Sequence, residues 1–231
     1  MNVFHYLTRF KMIINRYCQV SYSQCGEDLI LFHLCRAISL DKPTYLDIGA
    51  YHPFHISNTA LFYELGSRGV NVEPNPEASK LFQKYRSQDI NLTAGVSDSA
   101  KVMTYYCFNI ATLNTFSKKE ADKCIREGYL LEDRKKIPVT TLQKIISEQC
   151  HGVMPDILLI DAEGSERKII LSLKKLENKP AILCIETVTF TVRGLGEKKR
   201  SLINQILEMG YKIYADTFIN TIFLKGSYFS K

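Results

Sequence analysis

Tryptophan is missing from this chain of 231 residues, and nowhere do basic residues interleave with aromatic ones in a single stretch. Both absences speak against a groove that stacks single-stranded nucleic acid, although a net charge of +6 weakly favours anionic partners. The seven cysteines, at 18, 25, 35, 107, 124, 150 and 184, include no C-x-x-C pair. Neither a zinc site nor a disulfide framework is suggested, and Cys184 in its apolar run reads as a small core residue, so a cytoplasmic, reducing setting fits. No run approaches the ~20 apolar residues that a membrane span needs. G-x-G-x-x-G is absent, which removes the pyrophosphate cradle of a dinucleotide site, and so is the P-loop pattern G-x-x-x-x-G-K-[ST]. Repeats, low-complexity tracts and linkers are lacking too. With 45% apolar and 23% charged residues, the chain fits one sizeable core with decorations.

Alternation of strand-like and helix-like patterns is what the sequence does have. A helix over roughly 26–39, GEDLILFHLCRAIS, precedes a strand, TYLDIG, and a helix near 58–67 leads to a second strand, GVNVEP. Pro76 and Glu77 open the helix PEASKLFQKY, since proline suits the first turn and an acid its positive end. A third strand is expected near INLTAGVS. Three strands with two helical crossovers predict a parallel sheet wound from its middle. KVMTYYCFN alternates like an extra strand, and 108–135 reads as a polar, lid-like loop with a short helix. KIPVTTLQKIISEQ is a short strand into a helix, DILLID a strand followed by a helix from about 165, AILCIET a strand, and 198–209 a helix. The closing pair, YKIYAD and NTIFLKG, is joined by too few residues for a parallel crossover, so these strands pair antiparallel. The expected fold is a doubly wound, mostly parallel, Rossmann-like α/β sheet with an antiparallel C-terminal strand. The basic runs EDRKK (132–136) and EKKR (197–200) contain acids and read as solvated surface.

In such a sheet the ligand lies at the carboxyl ends of the strands. Those ends carry Asp47 and Gly49, then Glu73 followed by Pro74 and Asn75, then Ser97 and Asp98, then Asp161, Glu163 and Glu166, and finally Glu186. Five consecutive ends are acidic or polar. Gly49 admits a close backbone approach, and Glu73 stands where an acid accepts both hydroxyls of a ribose. A ligand with a ribose, an adenine and a cationic centre but no phosphate suits such a rim, which points to S-adenosylmethionine.

The segments SQCGEDLIL (23–31), YLDIGAYHPFHISNT (45–59), GVNVEPNP (69–76), VSD (96–98), VTTL (139–142), LLIDAEGSE (158–166), LCIE (183–186) and NTIF (220–223), in this order, resemble the FkbM-type S-adenosylmethionine-dependent methyltransferases over about residues 21–224. The resemblance implies a class I methyltransferase fold with a seven-stranded sheet, and methyl transfer to a hydroxyl oxygen of a sugar or polyketide-like acceptor. It implies that Asp47 and Gly49 lie beside the cofactor's methionine part, Glu73 at its ribose, and Ser97 and Asp98 beside the adenine. Ala50, Asn58, Pro74, Asn75 and Asp161 are expected to bind the cofactor as well. Asp161 and Glu163 face the methyl and the acceptor, and Gln24 and Glu27 lie over the pocket. As a fold-only alternative, Ser23 caps a helix whose positive end Glu27 and Asp28 favour.

Transfer to an alcohol benefits from a general base, for which Asp161, Glu163 and His52 are the candidates. His52 and His55 with those acids offer a divalent-metal alternative, but the family pattern supplies no metal set and none is expected. A nucleic-acid methyltransferase is the main rival. The [DN]-P-P-[YF] run that accompanies base methylation is replaced here by DAEG. A non-catalytic binding module is the other. Residues 1–40 are expected to be a helical segment covering the site and 41–231 the methyltransferase domain. Arg9, Lys11 and Arg16 in the first twenty residues sit at helix-like spacing, compatible with packing on the domain or weak membrane-surface association, and polar residues interrupt any signal-peptide core. The expected partner is a small-molecule or glycan acceptor, not nucleic acid; Tyr105, Tyr106 and Phe108 are candidates to stack on a sugar face.

Overall fold

The computed structural model describes residues 19–162, 164–189 and 195–229. In chain order its elements are α1 (Glu27–Ala37), β1 (Tyr45–Ile48), α2 (Ala60–Glu64), β2 (Gly69–Val72), α3 (Pro76–Tyr85), β3 (Ile90–Leu92), β4 (Gly95–Ser97) and β5 (Lys101–Phe108). They continue with α4 (Lys118–Arg126), β6 (Leu131–Thr141), α5 (Leu142–Gln149), β7 (Ile157–Ile160), α6 (Glu166–Lys175), β8 (Ile182–Glu186), α7 (Arg200–Glu208), β9 (Tyr211–Asp216) and β10 (Asn220–Lys225).

A seven-stranded sheet runs in the order β3-β2-β1-β7-β8-β10-β9. Strands β3, β2, β1, β7 and β8 pair in parallel, and β10 is antiparallel to both neighbours, β8 and β9. The antiparallel strand therefore lies one place inside the edge. Every residue of β1, β7 and β8 is buried, as expected for strands covered on both faces. On one face Leu46, Ile48 and Val72 pack with Ile145 of α5, Ile169 of α6 and Ile206 of α7. On the other, Tyr45, Leu159 and Ile222 pack with Leu31 and Leu34 of α1 and Phe62 of α2. Each fully buried Leu or Ile contributes roughly 1.5–3 kcal/mol. Among the described residues no helix is long and apolar enough to cross a membrane.

Helix α3 starts where its sequence requires. Pro76 occupies the first turn, and the Asn75 side chain accepts the Glu77 amide. Its far end delivers Arg86 into a buried polar network beneath the sheet's centre. The Arg86 guanidinium donates to Asp89, to Tyr45 Oη at 2.7 Å and to Thr59 Oγ1 at 3.0 Å. Asp89 also accepts from Tyr45, the Gly69 amide and Asn71, and the Thr59 hydroxyl donates to Asp47 at 2.7 Å.

The structure departs from the sequence pattern in the middle of the chain. INLTAGVS holds two strands, not one: β3 ends at Leu92 in the large sheet, whereas β4 turns away into a three-stranded sheet of order β4-β6-β5. The segment expected to be a lid-like loop is a 3-10 turn at Ala111–Leu113, then α4, then the first half of the eleven-residue β6, which pairs antiparallel with β5. Local polarity misleads there because EDRKK faces solvent from within a strand. Phe108, Leu113, Ala121 and Cys124 give this unit a core of its own. The expected N-terminal amphipathic helix lies largely in residues 1–18, outside the described residues.

Candidate functional site

Winding reverses between β1 and β7, and the carboxyl ends of β1, β2, β7 and β8 border a cavity of about 590 Å³ there. That is within the roughly 300–1,000 Å³ usual for small-ligand sites. The small sheet supplies the facing wall, with Tyr105 of β5 and Phe116, whose rings lie 4.7 Å apart. Gly95 is where Phe116 closes in, since a β-carbon there would meet its ring at 2.6 Å.

Gly49, at φ 82°, begins the loop after β1. A side chain at this position would strike the Asp161 carbonyl at 1.7 Å, so the glycine lets two strand ends approach each other as well as baring the backbone. The loop returns over β2. Tyr51 N donates to Glu73 Oε2 at 2.9 Å and Asn75 N to Glu73 Oε1 at 2.7 Å. Each carboxylate oxygen keeps a lone pair for a hydroxyl. Burial pushes the Glu73 carboxyl up to about 7, against the pull of those two amides and helped by the Asp47 charge. Asp47 is raised as well, by burial first, while its Thr59 hydrogen bond and Arg86 act the other way.

Across the crevice, Asp161, Glu166 and Glu186 bring carboxylate oxygens within 4.8 Å of one another. Lys199 Nζ sits among them, 2.8 Å from Glu186 and 3.4 Å from Glu166. The ammonium occupies the place a bound cation would take. Glu166 also accepts the Gly164 amide, just before the start of α6. Asp161 is exposed by surface area where it borders the cavity, although protein atoms crowd its carboxyl from the other sides. Burial, then the charges of Glu186 and Glu166, hold its carboxyl well above the ordinary range, with Lys199 opposing. Glu186 is raised by burial too. Lys199 is held above its usual value, because the neighbouring carboxylates outweigh its desolvation.

Of the sequence candidates, Gln24, Asp47, Gly49, Ala50, His52, Asn58, Glu73, Pro74, Asn75 and Asp161 all border the cavity. Ser97, Asp98 and Glu27 do not. Ser97 and Asp98 leave with β4, and Asp98 turns outward to within 4.0 Å of Lys168. Glu27 instead clamps the β9–β10 turn through Thr217 Oγ1 and Asn220 Nδ2, and these bonds hold it ionised below its usual range despite burial. Asp28 organises the preceding segment by accepting from Ser21, Tyr22 N and Ser23, so Ser23 serves Asp28 while Gly26 occupies the cap position. Glu163 lies outside the described residues. Phe108 belongs to the small core and Tyr106 packs near Arg134, leaving Tyr105 at the cavity. Phe116 and Lys199 were missed. Gly95 was the available signal for the first, but Lys199 stands in a charge run that looks like surface.

The strand order with its one reversed strand is that of class I methyltransferases. The Methyltransferase FkbM domain model matches residues 47–213, and the chain belongs to that family. It is an S-adenosylmethionine-dependent methyltransferase. Among solved structures, a TehB-like methyltransferase from Corynebacterium glutamicum is 8% identical at a TM-score of 0.45, with 96% of each chain covered. Precorrin-6y C5,15-methyltransferase from Geobacter metallireducens is 12% identical at 0.38, covering 83% of this chain and 85% of that one. Aeropyrum pernix fibrillarin, solved with S-adenosyl-L-methionine natively bound, is 12% identical at 0.41, with 79% and 66% covered. No curated protein sequence matches.

The cavity suits the cofactor. Among the described residues no lysine or arginine lines it, so nothing there selects a phosphate, while the carboxylates at Glu73 and Asp161 suit ribose hydroxyls and a sulfonium.

Proposed function

We propose that this methyltransferase acts on a hydroxyl oxygen of a sugar, in a glycan or a glycan precursor, with Asp161 as general base. The observation that carries this reading is the accessible Asp161 carboxylate facing the cavity while Lys199 is engaged by Glu166 and Glu186. Gln24, Asp47, Gly49, Ala50, Asn58, Glu73, Pro74 and Asn75 would hold S-adenosylmethionine, which when bound supplies a methyl group activated by positive sulfur.

Burial pushes Asp161 toward its protonated form. Beside a positive sulfonium the Asp161 side chain would be held as a carboxylate and would accept the proton of the acceptor hydroxyl. Glu73 fixes the ribose, and the loop after β1 closes one side against water. Tyr105 and Phe116 present apolar rings against which a sugar face can pack. The acid rim repels the phosphates of a nucleic-acid acceptor. Six described cysteines are unpaired, which supports a reducing, cytoplasmic setting.

Incubating the purified protein with labelled cofactor and a panel of oligosaccharides, nucleotide sugars and RNA, followed by mass spectrometry, tests the acceptor class. Label on a sugar oxygen is the expected result, and label on RNA or on nitrogen overturns it.

A further inference from the structure

We infer that His52 is the donor for the carboxylate of S-adenosylmethionine, through an Nε2–H whose tautomer the backbone fixes. The inference rests on that cofactor. Its methionine end carries two positive centres, the sulfonium and the ammonium, and one negative group. The crevice offers the positive centres carboxylates such as Asp47 and Asp161, but among the described residues no lysine or arginine borders it to answer the negative one. Among those residues the carboxylate meets neutral donors.

His52 is built as one. Its Nδ1 accepts the amides of Phe54 at 3.2 Å and His55 at 3.0 Å. A ring nitrogen whose lone pair is used in this way carries no proton, so the proton stays on Nε2. No described residue accepts from Nε2, and His52 borders the cavity on the loop that begins at Gly49. That loop is constrained: Tyr51 and Ile56 hold positive φ of 57° and 53°, and the Tyr51 amide is tied to Glu73. Other neutral donors border the cavity: Asn220 Nδ2 already donates to Glu27, whereas Gln24, Asn58 and the Nδ2 groups of Asn75 and Asn114 remain for other parts of the cofactor. Burial and the neighbouring His55 also keep His52 from charging. The same arrangement removes His52 from the general-base role, because the lone pair a base needs is turned toward the loop.

His52→Asn separates the two functions of the ring, since an asparagine oxygen can accept the same two amides while the distant donor is lost. Calorimetry with S-adenosylhomocysteine, which has the amino-acid end, and methylthioadenosine, which lacks it, provides the readout. H52N is expected to weaken S-adenosylhomocysteine by about tenfold or more while leaving methylthioadenosine within about twofold, and His52→Gln to recover much of the loss. Ring nitrogen NMR should show the neutral Nε2–H tautomer between about pH 6 and 8. Unchanged binding of S-adenosylhomocysteine by H52N, equal loss of both ligands, or an Nδ1–H tautomer overturns the assignment. Wild-type protein that binds neither ligand overturns the cofactor beneath it.

Discussion

Two polar clusters meet at Asp47, and they are built on opposite rules. Beneath β1, Arg86, Asp89, Tyr45 and Thr59 form a closed set in which one guanidinium balances one carboxylate and both side chains of the ion pair are fully buried. At the carboxyl ends of β7 and β8, Asp161, Glu166 and Glu186 share a single lysine, and two of those three carboxyls are held above their ordinary range. The first cluster is complete without a ligand. The second has more carboxyl groups than cations, an imbalance that proton uptake or an added cation relieves and that marks a candidate for chemistry.

Substitutions should separate the clusters in that sense. Arg86→Met strands Asp89 and Tyr45 in the interior, and chemical denaturation should show a loss of about 3–5 kcal/mol. Asp161→Asn should cost no stability, since it removes a carboxyl that burial disfavours, yet lower kcat by about 10²–10⁴-fold. A silent R86M, or a D161N protein that unfolds, would reverse the comparison. Glu73→Ala should weaken S-adenosylmethionine by on the order of 1–3 kcal/mol in calorimetry, because the amides of Tyr51 and Asn75 lose their shared acceptor along with the ribose. Unchanged affinity would remove Glu73 from the ribose role.

The smallest effect is on pH dependence. Folding raises Glu73 from an ordinary 4.5 to about 7. Below 4.5 the group is protonated in folded and unfolded chains alike, and the stability its raised value confers there is lost as pH climbs through that window. The empty protein should thus lose stability between these values. The cofactor favours the ionised form, so its stabilising effect on Tm should grow as pH rises from about 5 to 8. A ligand-induced shift independent of pH would show that Glu73 does not change ionisation on binding.

The elements that position the site were legible because their signals are local. Pro76 and Asn75 mark the start of α3, apolar runs without polar breaks mark β7 and β8, and the short link between β9 and β10 forces them antiparallel. The small sheet was not legible, because the pairing of β6 with both β4 and β5 is a long-range choice that no short window encodes. Lys199 escaped for a related reason: only the folded chain shows that a residue in a charge run is 23% exposed and faces Glu186. Asp98 failed in the opposite direction, standing beside a strand end that left the sheet.

The wall opposite the strand ends belongs to a unit with its own strands, its own helix and its own apolar centre, joined to the large sheet by short connections. On the proposed reading, in which this unit faces the acceptor, a lineage can remodel it, and with it the range of molecules admitted, while the strand ends proposed to hold the methyl donor stay in place. For an engineer, transplanting residues 95–141 between relatives is the natural first attempt at redirecting what this scaffold modifies.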